Sequence, residues 1–253
     1  MKGMILAAGE GRRLRPLTDH LPKPMLPVAG RPLLEHIIVH LRECGVTDLA
    51  INLHHLPAKV IDYFDDGHRW DVNILYSVEK QLLGSAGGVK RVQSFFDDTF
   101  VVYYGDLLTW FDLRPMVEFH RQAGVQATMG LYQVPDPWNR GIVALNESRR
   151  ITRFVEKPPL PEVFSHLANA GIYILEPAVL ERIPPDQMYD FAKDVFPQML
   201  ADNVQIAGYV IDDLLIDIGM PEKYEEANCV ASIVEFGVTQ RVNIRPQLQF
   251  ARA

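Results

Sequence analysis

The sequence predicts an α/β fold, with a mixed but mostly parallel central sheet flanked by helices. Three observations carry that expectation. Apolar strand-like runs alternate with helix-period segments at short intervals. The 253 residues are 48% hydrophobic and 23% charged, which suits one large unit with a proper core. The first apolar run, Met4 to Ala8, stops abruptly at Gly9-Glu10-Gly11, as a buried strand does when it feeds a turn.

The elements follow in order. After the turn, Pro16, Pro22, Pro24 and Pro27 forbid a regular helix and predict a long ordered loop. Pro32 suits the first position of a helix in which Leu33, Leu34, Ile37, Ile38 and Leu41 share one face, and Gly45 stops it. Strands are expected over 48–53, 72–78 and 99–104, and helices over 59–64, 86–96 and 113–122. The pattern then changes. QATMGLYQV, GIVAL, ITRFVE and AGIYIL read as strands separated by turns. Helices at 177–182 and 191–200, a strand at 204–211 and a last helix from about Pro221 complete the series. No internal repeat, low-complexity tract or linker interrupts it.

Composition excludes several functions. The net charge of −7 and pI near 5.6 argue against a nucleic-acid surface, which is usually basic. No run approaches the roughly 20 apolar residues of a membrane span, and the N-terminus lacks a signal-peptide pattern. Cys44 and Cys229 fit no metal spacing, and their scarcity suggests a reducing cytoplasm.

Positive charge is concentrated instead behind the first strand, where Arg12, Arg13, Arg15, His20 and Lys23 crowd the glycine turn. Glycines let the backbone approach a ligand, and guanidinium and ammonium groups supply the charge that a polyphosphate needs. The arrangement reads as a triphosphate grip; the plainer alternative is a basic surface loop. A dinucleotide fingerprint fails, because Leu14 stands where the third glycine is needed, and no P-loop string occurs. A nicotinamide-dependent oxidoreductase is disfavoured accordingly. Asp106 ends the apolar run FVVYYGD. A carboxylate about 4 Å from a phosphate charge costs roughly 4 kcal/mol at an effective dielectric near 20, so it needs a divalent cation between. Asp106 is therefore a candidate Mg²⁺ ligand, and a capping Asp is the structural alternative.

The strings L-A-A-G-x-G-x-R-L-x-P-L-T and P-K-P-M-L-P-V-x-G-x-P-L-L, from Leu6 to Leu34, closely resemble the signature of the sugar-nucleotide pyrophosphorylases. The second string and the G-S-A-G-G loop look most like the mannose-1-phosphate guanylyltransferases. The resemblance implies the Rossmann-like sheet of nucleotide-diphospho-sugar transferases. It also implies an enzyme that joins an NTP to a sugar 1-phosphate with Mg²⁺ and releases pyrophosphate. Catalytic roles then fall to Arg13, Lys23 and Asp106. Leu6, Ala7, Ala8, Gly9, Gly11 and Arg12 would bind the nucleotide. So would Gly84, Ser85 and Ala86, which match L-G-T-A-G, with Glu79 lining the base pocket. Asp217, in the segment resembling D-I-G-T-P-E-x-Y, would be the second metal ligand. Glu156 and Lys157 match F-x-E-K-P and Asn169 matches N-x-G-I-Y; with Gly141 they would hold the sugar phosphate. Phe191–Pro197 resembles a D-F-x-x-D-x-F-P helix with a scaffolding role.

The chain departs from the family at Arg12, Ser85 and Met220, where Thr or Ser, Thr and Thr are usual. One unit is expected over 1–253, with a nucleotide half (1–125), a sugar half (126–235) and a tail (236–253). The short tail leaves no expectation of a β-helix acyltransferase. GTP with mannose 1-phosphate is the leading substrate pair; UTP or dTTP with glucose, N-acetylmuramate or heptose 1-phosphate is the alternative. A non-catalytic sensor of sugar nucleotides is the alternative of another class. Apolar helices near the C-terminus could pair subunits in a homo-oligomer.

Overall fold

The computed structural model describes residues 1–240, with side chains to residue 234, so the end of the expected tail lies outside the described residues. Among the described residues, thirteen strands and six α-helices are joined by short turns. Strand β1 (Lys2–Leu6) leads into a loop of three 3₁₀ turns, as its prolines require, and then a small ladder of β2 (Pro27–Val28) and β3 (Arg31–Pro32). Helix α1 (Leu33–Glu43), β4 (Asp48–Leu53), α2 (Pro57–Phe64), β5 (Asn73–Val78), α3 (Gly84–Arg91) and β6 (Phe100–Tyr104) follow. Then come β7 (Leu107–Thr109), α4 (Arg114–Ala123), β8 (Ala127–Gln133), β9 (Gly141–Leu145), β10 (Ile151–Glu156) and β11 (Leu167–Leu175). The described chain closes with α5 (Phe196–Ala201), β12 (Ile206–Val210), β13 (Leu215–Asp217) and α6 (Pro221–Gln240).

The central sheet is mixed. Strand β1 lies between β4 and β6, parallel to both, and β5 pairs parallel with β4. Beyond β6 the order is β11, β9, β10, all antiparallel to their neighbours, while β8 pairs β11 and carries β12. Pleating sends alternate residues to opposite faces. Ile5, Ile51 and Tyr103 therefore join one core with α1, α2, α4 and α6, and Met4, Ala50 and Val102 join another with α3 and α5. Both faces of β1 are thus dry, and the only way out for a ligand-binding group is the carboxyl tip of the strand.

Several expected boundaries move. Pro32 precedes α1 as its cap and does not open the helix, because its extended ψ of 139° serves the β2–β3 ladder. The helix expected over 86–96 begins at Gly84 and ends at Arg91, where Val92 leaves helical geometry for a 3₁₀ turn. The helix expected over 191–200 splits into one π turn, Phe191–Val195, and α5. Pro197 has no N–H to continue the ladder, and Asp190 caps the turn by accepting from the N–H groups of Ala192 and Lys193. The segment 177–182 is 3₁₀. The ladder of β7 with β13 had no signal in the sequence, since each strand is three residues long.

Candidate active site

The tip of β1 is held from two sides. Gly105 N–H donates to Leu6 O at 2.9 Å, and a Cβ on Gly105 would lie 2.7 Å from that oxygen, so only glycine fits. Ala7 N–H donates to Asn52 Oδ1 at 2.9 Å. Asn52 Nδ2 donates to Glu79 Oε1 at 2.8 Å, and Glu79 Oε2 accepts from Leu83 N–H at 3.0 Å. Asn52 and Glu79 are both 2% exposed. This buried chain of bonds ties the strand tip to the glycine loop that opens α3.

That loop is clamped from outside. Gly84 has φ +73°, and a Cβ there would lie 2.5 Å from Tyr189 O. The same carbonyl accepts from Ala86 and Gly87 N–H, and Tyr189 N–H donates to Leu83 O. Ser85 Oγ donates to Asp190 Oδ2 at 2.8 Å and accepts from Phe191 N–H. A cavity of about 300 Å³ opens between strand tip and loop. Leu6, Ala7, Ala8, Gly9, Gly84 and Ser85 line it, as does Glu79. Lys23 and Asp106 stand on its wall too. Gly11, Arg12 and Ala86 do not line it. Gly11 packs instead on Thr18 and Lys23, and the exposed Arg12 pairs with Glu10 at 2.5 Å.

The two aspartates expected to act together do meet. Antiparallel pairing of β7 with β13 sets Asp217 opposite Leu107, and Ile218 N–H donates to Asp106 O at 3.0 Å. Lys23 Nζ then lies 2.5 Å from Asp106 Oδ2 and 3.8 Å from Asp217 Oδ1. Arg13 reaches the same corner, with a guanidinium nitrogen 2.9 Å and Lys23 Nζ 3.5 Å from where a Cβ on Gly219 would stand. Burial pushes the Asp217 carboxyl up, but Lys23, Arg140 and the Gly219 N–H outweigh it and hold it below the usual carboxylate range. Two carboxylates thus share one cation position. Two hard oxygen donors are of the kind that a divalent ion such as Mg²⁺ accepts. Among the described residues no group of three or more His, Cys, Asp or Glu is placed to hold a metal.

Of the residues expected to hold the sugar phosphate, Gly141, Glu156 and Lys157 adjoin Arg140, which stands beside Asp217. Arg140 pairs with Asp217 Oδ2 at 2.7 Å, and its carbonyl accepts from Lys157 N–H at 3.0 Å. Lys157 has φ +48° and a side chain 66% exposed, with its ammonium 3.8 Å from Glu156 Oε1. Gly141 packs directly on Glu156 and Phe154, with no space for a Cβ. Burial raises the Glu156 carboxyl pKa, against the pull of Lys157. Asn169 sits at a register shift in β11; its Oδ1 accepts from Gly171 N–H and its Nδ2 donates to the Tyr173 hydroxyl at 2.8 Å.

Sequence reasoning missed Asn52, Tyr104 and Met188 as cavity walls and Arg140 as the partner of Asp217. Asn52 carried a signal, a polar residue inside the apolar run DLAINL. Met188 carried none, because only its neighbours' backbone bonds to the glycine loop bring it there.

Residues 2–232 match the family model described as Nucleotidyl transferase. The chain is 40% identical to a UTP–glucose-1-phosphate uridylyltransferase of Synechocystis sp., over 90% of this chain and 62% of that protein. It is 36% identical to a mannose-1-phosphate guanylyltransferase of Mycobacterium tuberculosis, over 87% of this chain and 62% of that protein. It therefore spans less than two thirds of the length of these curated relatives. A Bacillus anthracis crystal structure, provisionally named a glucose-1-phosphate thymidylyltransferase, superposes with a TM-score of 0.83 at 28% identity, over 92% of this chain and 95% of that one.

Proposed function

The chain belongs to the nucleotidyl transferase family, and from that premise we propose that it condenses an NTP with a sugar 1-phosphate. GTP and mannose 1-phosphate are the leading pair, as in the Mycobacterium tuberculosis relative. The observation that carries the reading is the meeting of Asp106 and Asp217 on Lys23 beside a cavity walled by the β1 tip and the glycine loop.

A phosphate oxygen of the sugar 1-phosphate attacks the α-phosphorus in line. A new P–O bond forms, the bond to the β-phosphate breaks, and pyrophosphate leaves with its electron pair. The nucleophile is already ionised at neutral pH, so no general base is needed. Catalysis is then positioning and charge neutralisation. Arg13 serves the β- and γ-phosphates and Lys23 the α-phosphate. Lys157 holds the phosphate of the incoming sugar, and Gly141, Glu156 and Asn169 meet the sugar itself. Asp106 and Asp217 would hold Mg²⁺, which supplies charge that offsets phosphate repulsion. One unit with a nucleotide half over 1–125 and a sugar half over 126–235 suits this division.

The test is a matrix of the common NTPs against mannose, glucose, N-acetylmuramate and heptose 1-phosphates, with pyrophosphate release as the readout. The largest kcat/KM is expected for GTP with mannose 1-phosphate. A preference for UTP with glucose 1-phosphate selects the second reading, which the Synechocystis relative favours. Nucleotide binding without pyrophosphate from any pair would make the protein a sensor and end the enzymatic reading.

A further inference from the structure

The strap before the π turn poses a physical question. Met188 is 71% exposed, more than any other large hydrophobic side chain described. An apolar side chain left in water on a loop free to move would be unremarkable, but this loop is pinned on both sides. The next residue, Tyr189, exchanges backbone bonds with Leu83, Ala86 and Gly87, and Asp190 receives the Ser85 hydroxyl at 2.8 Å. On the other side Gln187 O packs against Gly87, at 2.5 Å from where a Cβ would stand. Met188 thus projects from a fixed backbone. Met188 is part of the lining of the 300 Å³ cavity, together with Leu82, Ala7 and Ala8. An exposed apolar group at the rim of an apolar cavity marks a ligand surface.

We infer that Met188 is a specificity-determining residue that caps the nucleobase. A flat base entering between the β1 tip and the glycine loop would cover the thioether. That contact removes apolar surface from water and sets a polarisable sulfur against a π system. The cap belongs to the stretch of chain after the sugar-binding strands, so the second half of the molecule closes the site of the first. Being apolar, it acts on the base and not on the phosphates.

This inference rests on the nucleotide site proposed above, and one experiment separates the two. Affinities for GTP, GMP, UTP, UMP and inorganic pyrophosphate are measured by calorimetry on the full chain and on Met188→Ala and Met188→Leu. Met188→Ala is expected to weaken each triphosphate and its monophosphate by the same factor, about five- to tenfold, with larger loss for the purine. Pyrophosphate affinity stays unchanged, and Met188→Leu restores most of the loss. Equal nucleotide affinities in wild type and Met188→Ala overturn the cap alone. A loss confined to triphosphates overturns it as well, since the side chain would then act near the phosphates. Failure of the wild-type protein to bind any nucleotide removes the site and the cap together. Melting curves of the variants distinguish lost contact from lost fold.

Discussion

The two halves of the molecule hold their ligand-facing groups by different means. In the first half the backbone does the holding. The β1 tip, Gly84 and Gly105 sit where only small residues fit, and Asn52 and Glu79 satisfy main-chain N–H groups. In the second half side chains hold side chains. Asp217 is fixed by Arg140 and Lys23, and Asn169 by the Tyr173 hydroxyl. The first arrangement leaves few side chains free to change, while the second can be retuned one side chain at a time. The difference suits a family in which the phosphate chemistry is shared and the sugar varies.

The largest effect tests where the halves meet. Asp106→Asn should leave circular dichroism and melting near wild type but lower pyrophosphate release by on the order of 100-fold or more. Near-normal turnover would show that the shared cation position has no part in chemistry.

Next comes the backbone rule of the first half. Gly84→Ala forces a Cβ onto Tyr189 O at a positive φ, which costs about 1–3 kcal/mol of stability. Thermal melts should show that loss, and KM should rise for the NTP more than for the sugar phosphate. A silent Gly84→Ala would mean that the strap moves freely.

A subtler effect tests the second half. Burial raises the Glu156 carboxyl pKa, so the folded protein keeps this proton to higher pH than the unfolded chain does. As pH rises from the ordinary glutamate value through the raised one, the unfolded chain releases its proton first and stability falls. Glu156→Gln removes that dependence. It should therefore raise the melting temperature near pH 7.5 and leave it almost unchanged near pH 4. A uniform shift at both values would refute burial as the cause.

The smallest effect separates neighbouring arginines. Arg13 stands beside Lys23 and Asp217, while Arg12 is 75% exposed and paired with Glu10. An exposed pair of this kind is screened by water and contributes little. Arg12→Ala should therefore change KM for the NTP far less than Arg13→Ala, as steady-state titrations would show.

How much of this was legible in the chain differs by region, for a physical reason. Strand β1 with its glycine turn and the apolar face of α1 were readable, because a period of two or 3.6 residues and the special freedom of glycine are properties of neighbouring residues. Asp106 was readable as a candidate at the end of its apolar run, and Asp217, with its pairing to Asp106, only by resemblance. The residues themselves could not show that the two acids converge, because convergence depends on β7 finding β13, two strands of three residues each. Backbone hydrogen-bonding groups are the same at every residue, so a register that short leaves no mark in composition. The same holds for the strap over the glycine loop: Tyr189 works through its carbonyl, which any residue would offer. The amino-acid order alone determined which cationic and acidic groups lie behind β1 and at the ends of the later strands. Only tertiary pairing decided that Lys23 stands between the two aspartates and that Met188 faces the cavity, since both follow from contacts between segments far apart in the chain.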